Sequence, residues 1–392
     1  MKKELVLALD IGSNKTKILI CQKEKQRLNL LAKIEKDSEG LKEGNVVEPE
    51  KLTENLKEIF LKLEEDFGKE VRSIFLNLSS SSLFSFPSKG LVSVSRADGV
   101  ISKEDVERVL KEAKAIKLPS NKEIFEILEK EFIVDGQRGI KDPVGLKGMR
   151  LEVEILALGI FYPYFKNLKD AILGADLEIL DIIPSPLACS KSVLTDRQKE
   201  LGVCLFEFGA QTSLLSFFKD GKMIDFLAFP FGSSEITKEI ALSFRIDYDF
   251  AEKIKIEYGS CFFKGKDSKQ RVEAEGEVVA FSKRRLTYIV QKTLTEIISE
   301  IHKKTKNIFK EKKLAAGLVV TGGGAKLSNL DDFLRMKLKI PCRLGFPKGI
   351  EGLENDISFS AACGILLMVA EREIIRETFL DKFKKICRKI FS

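Results

Sequence analysis

The sequence predicts a two-lobed α/β protein in which one sheet architecture is used twice. Three observations carry that expectation. An apolar run, a glycine turn and a second apolar run open the chain in LVLALDIGSNKTKILIC, Leu5 to Cys21. The same outline returns in LGVCLFEFGAQTSLLSF, Leu201 to Phe217, and a third apolar run ends on glycines in LVVTGGG, Leu318 to Gly324. Strand, turn and strand repeated at long range, with helical stretches between, is the pattern of a duplicated α/β plan.

Taken in order, Leu5–Asp10 and Lys15–Cys21 read as a hairpin around GSN, and Pro49–Phe67 has helical periodicity. Leu91–Ser95 is strand-like. Ser102 precedes a helical run, Glu104–Ile116, with Asp105 three residues on as a capping box. Leu151–Gly159 alternates as a half-buried strand does. Pro184, Pro186 and the polar TDRQKE (Thr195–Glu200) mark the crossing between lobes, and AACGILLMVA (Ala361–Ala370), half a membrane span, reads as a buried core helix.

The bulk numbers narrow the chemistry. A chain of 392 residues, 44% hydrophobic and 32% charged, is expected to be globular with two or three domains. The net charge of +7 is a small excess of 66 basic over 59 acidic residues, so no nucleic-acid partner is expected. Seven scattered cysteines, none spaced CxxC, argue against a disulfide framework or zinc site and for a reducing cytoplasm. The apolar run after MKKE stops at Asp10, too short for a signal peptide. His302 is the only histidine and sits in a charged stretch, so neither a Ser-His nor a Cys-His pair can be assembled. What remains is phosphoryl or metal-assisted chemistry, or none.

Three glycine turns suit a nucleotide. In the first, Asp10 ends a strand and Gly12, Ser13 and Asn14 turn tightly, presenting backbone N–H groups to phosphate oxygens. Lys15 is placed to supply a counter-charge, and Asp10 to hold Mg²⁺ through water. The second, EFGAQT, offers Glu207, Gly209, Ala210, Gln211 and Thr212 in equivalent places. The third, Gly322, Gly323 and Gly324, lets backbone approach a base or ribose without Cβ interference. In DYDFAEKIKIEYG, Glu252 and Lys255 share one helix face at i and i+3. Each has a plainer reading: an ordinary hairpin, a non-Walker glycine run, a surface ion pair.

The order of hairpin, hairpin, AExxK helix and TGGG turn is more specific than its parts, and resembles the actin-like ATPase superfamily. Within it the chain resembles the FtsA family, bacterial cell-division proteins that tether FtsZ filaments to the inner membrane. The stretches that carry the likeness are Glu39–Leu52, Gly90–Ile116, Glu131–Glu154 and Phe229–Gly259. The resemblance implies an actin-like ATPase fold, two lobes with duplicated mixed sheets, an FtsA-type inserted subdomain in lobe one and a C-terminal amphipathic helix. It divides the chain into lobe one core (1–81 and 164–195), inserted subdomain (82–163), lobe two core (196–246 and 305–350) and the outer subdomain of lobe two (247–304). A return helix (351–376) and a membrane-targeting helix (377–392) follow.

The resemblance also implies ATP and Mg²⁺ between the lobes. Asp10, Gly12, Ser13, Asn14 and Lys15 would meet the phosphates from one side, and Glu207, Gly209, Ala210, Gln211, Thr212 and Gly232 from the other. Asp10 and Glu207 would hold the metal through water, Glu252 and Lys255 would address the ribose, and Gly322–Gly324 with Lys326 the adenosine. The second turn departs from the usual D-[IV]-G-[GA]-G-T-T-D: Glu207, Gln211, Ser213 and Leu214 stand for Asp, Gly, Thr and Asp. The extra methylene of Glu207 displaces the carboxylate by roughly 1.5 Å, so nucleotide binding with at most slow hydrolysis is expected.

The last residues, FLDKFKKICRKIFS, fit the same family. Phe379, Leu380, Phe383, Ile386, Cys387, Ile390 and Phe391 form an apolar stripe beside Lys382, Lys384, Lys385, Arg388 and Lys389. Such a helix lies in the headgroup plane of an anionic membrane; five cations near the surface contribute at most about 5 kcal/mol, and the apolar groups the rest. The expected location is peripheral, on the cytoplasmic face of the inner membrane at the division site. The expected partners are the chain itself in actin-like filaments, anionic lipid, the FtsZ C-terminal tail, and other divisome proteins through the inserted subdomain. Lys283, Arg284 and Arg285 are candidates for an acidic tail, with a solvated charge run as the plainer reading. Two other functions stay open: a PilM-like pilus-assembly scaffold, and a small-molecule kinase of the same fold.

Overall fold

The computed structural model describes residues 4–24, 27–68, 70–263, 265–274, 277–312, 314–353 and 355–371. Residues 377–392, expected from the sequence to form a membrane-targeting helix, lie outside that range. Strands β1 (Glu4–Ile11) and β2 (Lys15–Glu24) form the expected hairpin, which β3 (Arg27–Asp37) extends antiparallel. Two short strands, β4 (Leu41–Lys42) and β5 (Asn45–Val46), make a miniature hairpin before α1 (Pro49–Phe67). Proline opens that helix, where its missing N–H costs nothing, and Gly68 closes it in the left-handed conformation. Strand β6 (Ser73–Leu78) then pairs with β1 in parallel.

A separate four-stranded sheet follows, made of β7 (Phe84–Ser93), β8 (Lys122–Val134), β9 (Gln137–Ile140) and β10 (Arg150–Phe161), with helix α2 (Lys103–Lys114) on it. Its order is β7-β10-β8-β9. The capping box is present: Ser102 accepts from the Asp105 amide and Asp105 accepts from the Ser102 amide. Strand β7 begins at Phe84, seven residues before the strand expected at Leu91. Pro87 and Gly90 in FPSKG suggest a turn, but β7 is an edge strand in which proline is tolerated. Gly90 is where α2 crosses, for a Cβ there would lie 2.1 Å from Val109 O. The Ser85 hydroxyl donates to Asp225 Oδ1 at 3.0 Å, fastening this sheet to the second lobe.

The chain returns through α3 (Tyr162–Gly174) and β11 (Glu178–Pro184) and crosses over as two helices, α4 (Ser185–Val193) and α5 (Asp196–Leu201). The second lobe holds β12 (Val203–Phe208), β13 (Ser213–Lys219) and β14 (Lys222–Phe229), then α6 (Ser234–Phe244) and α7 (Tyr248–Tyr258). A two-stranded ribbon, β15 (Lys269–Ala274) with β16 (Glu277–Ser282), leads into the long α8 (Lys283–Lys312). Strand β17 (Leu318–Thr321), a 3₁₀ turn (Gly323–Lys326), α9 (Leu330–Leu338) and β18 (Cys342–Leu344) complete the sheet, and a last helix, α10, covers 360–371.

The duplication is visible in the strand orders, β3-β2-β1-β6-β11 and β14-β13-β12-β17-β18. Each is an antiparallel meander of three strands joined to two parallel ones, with matching senses throughout. Strand β1 reads as a continuous apolar run because both its faces are covered. Leu7, Leu9 and Ile11 point into the core under α1 and α3, whereas Val6 and Ala8 belong to the cluster with Phe359, just before α10, and Ala362 and Leu366 on it. The buried helix expected at 361–370 is therefore real, and His302 lies exposed on α8.

Candidate functional site

The two glycine turns have the same construction. Gly12 N donates to Lys15 O at 3.1 Å, and Gly209 N donates to Thr212 O at 2.9 Å. A Cβ would meet its own turn at both glycines, tightly at Gly12 (3.0 Å from Lys15 O) and too closely at Gly209 (2.8 Å from Thr212 O), so the reversal itself favours glycine. The turns line one cavity of about 400 Å³, at the carboxyl ends of β1 and β12, where open α/β sheets place ligands. Asp10, Gly12, Ser13, Asn14 and Lys15 line it from one lobe, and Glu207, Gly209, Ala210 and Thr212 from the other. Glu252, Lys255, Gly322–Gly324 and Lys326 also line it, as does Lys17.

Gln211 and Gly232 are absent from that lining. Gln211 turns its side chain out of the cavity toward the backbone of Glu43. Gly232 sits behind the second turn, where a Cβ would come within 2.5 Å of Gly209 O and Ala210 O. The amides that follow it, Ser233 N and Ser234 N, donate to Gly209 O and Ala210 O at 2.9 and 2.8 Å and fix the turn from below.

At the cavity floor two carboxylates share one network. Asn77 Nδ2 donates to Asp10 Oδ1 at 2.7 Å and to Ser185 Oγ at 3.3 Å, and the Ser185 hydroxyl donates to both oxygens of Glu207 at 2.7 and 2.8 Å. Burial raises the Asp10 carboxyl, opposed by Lys17 and Asn77. Burial also pushes Glu207 up to about 7; the Ser185 hydrogen bond opposes the shift and the nearby Asp10 charge adds to it. The Cys189 thiol beneath them is held protonated by burial and by Glu207.

The opposite wall is also ion-paired. Lys255 Nζ lies 2.7 Å from Glu252, donates to Thr237 Oγ1 at 2.9 Å, and is only 9% exposed, so this is not a surface pair. Thr237 donates in turn to Glu252, and burial lowers the Lys255 ammonium. Lys326 Nζ pairs with Asp356 at 2.9 Å, and Lys33 reaches the same carboxylate from lobe one at 2.8 Å. Burial would raise Asp356, but the two ammonium groups and Ser358 hold it far below the usual carboxylate range. Of the three glycines, Gly322 and Gly324 are required by the approach of Phe208. Only Gly323 faces open space, its Cβ finding nothing nearer than Ser358 at 4.0 Å.

Lys15 lines the cavity, as expected, with its ammonium paired with the exposed Asp37 at 2.7 Å. The cation whose charge acts on both floor carboxylates is Lys17, two residues along β2. Strand alternation could have found it, because residues i and i+2 share a face. Asn77 and Ser185 carried no such signal, each being an isolated polar residue far from either turn in sequence.

These residues fit a hydrated magnesium nucleotide. The buried Asp10 and the half-buried Glu207 repel each other and favour a cation, and among the described residues Asn77 Oδ1 is a buried acceptor with no hydrogen-bond partner. Metal-bound waters can donate to all three groups, as Mg²⁺ keeps most of its hydration shell. Lys283, Arg284 and Arg285 stand elsewhere, exposed at the start of α8, with Arg285 donating to Ser243 O and stacked over Phe244. Among the described residues no helix is long and apolar enough to cross a membrane.

Comparison with known proteins agrees with this architecture. Residues 80–158 match the family model "SHS2 domain inserted in FTSA", and residues 204–364 match "Cell division protein FtsA". The FtsA of Pseudomonas aeruginosa is 27% identical over 378 residues, covering 94% of this chain and 90% of its own length. That of Escherichia coli K12 is 26% identical, covering 97% and 94%, and that of Bacillus subtilis 27%, covering 88% and 80%. Among solved structures, a PilM-PilN type IV pilus biogenesis complex superposes with a TM-score of 0.67 at 18% identity, covering 94% of this chain and 99% of that one. MreB5 of Spiroplasma citri bound to AMPPNP gives 0.57 at 11% identity, covering 97% and 100%. The duplicated sheets, the inserted four-stranded sheet at the place the first family model covers, and full-length likeness to FtsA sequences all coincide. The chain belongs to the FtsA family of cell-division proteins and has the actin-like ATPase fold.

Proposed function

We propose that this protein binds ATP with Mg²⁺ in the cleft, assembles with copies of itself, and ties FtsZ filaments to the cytoplasmic face of the cell membrane through residues 377–392. The observation that carries the nucleotide reading is the pair of similarly built turns, Gly12–Lys15 and Gly209–Thr212, facing one cavity over the carboxylates of Asp10 and Glu207. Turn amides bind phosphate, and Asp10 with Glu207 would hold the metal through its waters. When bound, Mg²⁺ supplies charge to the phosphates. This chain's own groups orient it: Asn77 fixes Asp10, Ser185 fixes Glu207, and Lys17 adds positive charge. Hydrolysis is slow or absent in this reading, since Glu207 reaches farther than aspartate and is folded back onto Ser185.

The MreB5 neighbour bound to AMPPNP and a MamK double helical filament, TM-score 0.54 at 10% identity over 94% of this chain and 98% of that one, support nucleotide binding and self-assembly by analogy of fold. The subdomain boundaries at 82, 164, 196, 247, 305 and 351 belong to the same proposal, as do an acidic FtsZ tail at the exposed Lys283–Arg285 and divisome partners on the inserted subdomain. The similarity to PilM favours a second reading, a scaffold for a pilus peptide, which does not require a membrane-binding C-terminus.

The nucleotide reading is tested by titrating a fluorescent ATP analogue with Mg²⁺ against wild type and Gly323→Val. Position 323 has room for a side chain, so the variant folds while its side chain narrows the cavity. Wild type should bind saturably and Gly323→Val should lose at least about tenfold in affinity. Equal binding by the two places the ligand elsewhere. Turnover near 10 s⁻¹, a typical enzyme rate, would end the slow-hydrolysis reading.

A further inference from the structure

The miniature β4–β5 hairpin turns through Glu43 and Gly44, both left-handed, at φ 53° and 72°. Two consecutive positive-φ residues make the tight turn suited to a two-residue hairpin, and Asn, Asp or Gly is the usual first residue. Glutamate is a poor local choice, so something outside the hairpin holds it. The tip sits between the two phosphate turns. Glu43 N donates to Gln211 Oε1 at 2.9 Å, in lobe two, and Gly44 N donates to Ser13 Oγ at 2.8 Å, in lobe one. A Cβ on Gly44 would lie 2.8 Å from Ser79 O on one side and 3.1 Å from Thr212 Cγ2 on the other, so the tip fills the gap between lobes.

Two neighbouring amides thus bind the two facing turns, one each. The Ser13 hydroxyl, accepting from Gly44, is left to donate its proton toward the cavity that it lines. The hairpin is also anchored to lobe one: Glu43 O accepts from Ser81 N at 3.1 Å, and Ser80 donates to the buried Asn45 at 2.6 Å. The serine run SSSS, Ser79 to Ser82, thereby gains a role that its sequence did not suggest.

We propose that the β4–β5 hairpin tip is a catch across the phosphate end of the cleft, that Gln211 is the positioning residue which keeps it closed, and that the catch governs how fast a nucleotide leaves. The release claim rests on the nucleotide reading above; the hairpin claim does not. Where the family's second turn carries glycine, Gln211 takes no place in the cavity but secures its closure.

The test uses the full chain as wild type, Gln211→Ala and Gln211→Glu. Amide hydrogen exchange without nucleotide should be slow at Glu43 in wild type and at least about tenfold faster in Gln211→Ala, as loss of one hydrogen bond allows. Helix α1 should exchange unchanged, and Gln211→Glu, which keeps an acceptor, should stay protected. Release of the fluorescent ATP analogue with Mg²⁺, chased by excess ATP, should be about tenfold faster in Gln211→Ala. Identical exchange at Glu43 in wild type and Gln211→Ala overturns the catch. Faster exchange with unchanged release overturns its control of the nucleotide. If wild type retains no probe, the nucleotide reading and the release claim fall together, while exchange still judges the hairpin.

Discussion

Glu207 is the residue whose placement has the clearest measurable consequence. In the unfolded chain its carboxyl titrates near 4.5, whereas in the fold burial, reinforced by Asp10, holds the proton to about 7. Between those values the folded state binds more protons than the unfolded one, so Glu207 makes stability fall as pH rises through that window and level off above it. Glu207→Gln keeps the acceptor for Ser185 and removes the charge. Without nucleotide it should flatten that decline and raise stability at pH 8 by about 1 kcal/mol, roughly 2 °C in melting temperature. Melting curves from pH 5 to 8 that run parallel for variant and wild type would show that Glu207 is not the titrating group. The shift itself was not legible in EFGAQT, because it depends on burial in the closed cleft and on Ser185 and Asp10, which the chain delivers from distant segments.

At the scale of elements, local chemistry and packing divide the work. The Ser102–Asp105 box, the proline at the start of α1 and Gly68 at its end are local signals, and the helices begin and end where these residues direct. Strand β7 is the contrary case, since Pro87 and Gly90 argue against a strand until β10 and α2 are seen to cover it. Gly364 shows what packing alone demands. A Cβ there would lie 1.7 Å from Ala188 O, where α10 crosses α4. Gly364→Ala should therefore destabilise the protein by about 3 kcal/mol, the upper range for overpacking, read as a lower urea midpoint. An unchanged midpoint would mean that the two helices separate freely.

For the whole molecule the open question is how the cleft and the C-terminus act together. One cationic amphipathic helix binds lipid reversibly, and linked copies along a filament multiply that attachment through effective concentration. The full chain should therefore co-sediment with anionic vesicles, more so with ATP, and a chain ending at Glu377 should lose at least about tenfold of that binding. Retention by the shortened chain would favour the PilM-like reading or a different lipid contact. Ser85 with Asp225 ties the inserted sheet to lobe two, so this sheet and the cleft belong to one connected body.

Much of this protein was determined by sequence alone: both glycine-turn hairpins, α1, α2, the buried α10, the duplicated plan and the family. These depend on periodicity, caps and turn glycines, which act over a few residues and leave their mark in order. The tertiary structure alone decided which polar groups meet. Asn77 and Ser185 join Asp10 to Glu207, Lys17 joins Lys15 in the cavity wall and acts on both carboxylates, and Gln211 reaches Glu43 instead of a ligand. Such meetings depend on how two lobes close on each other, and no short-range rule encodes the distance between side chains that are a hundred residues apart.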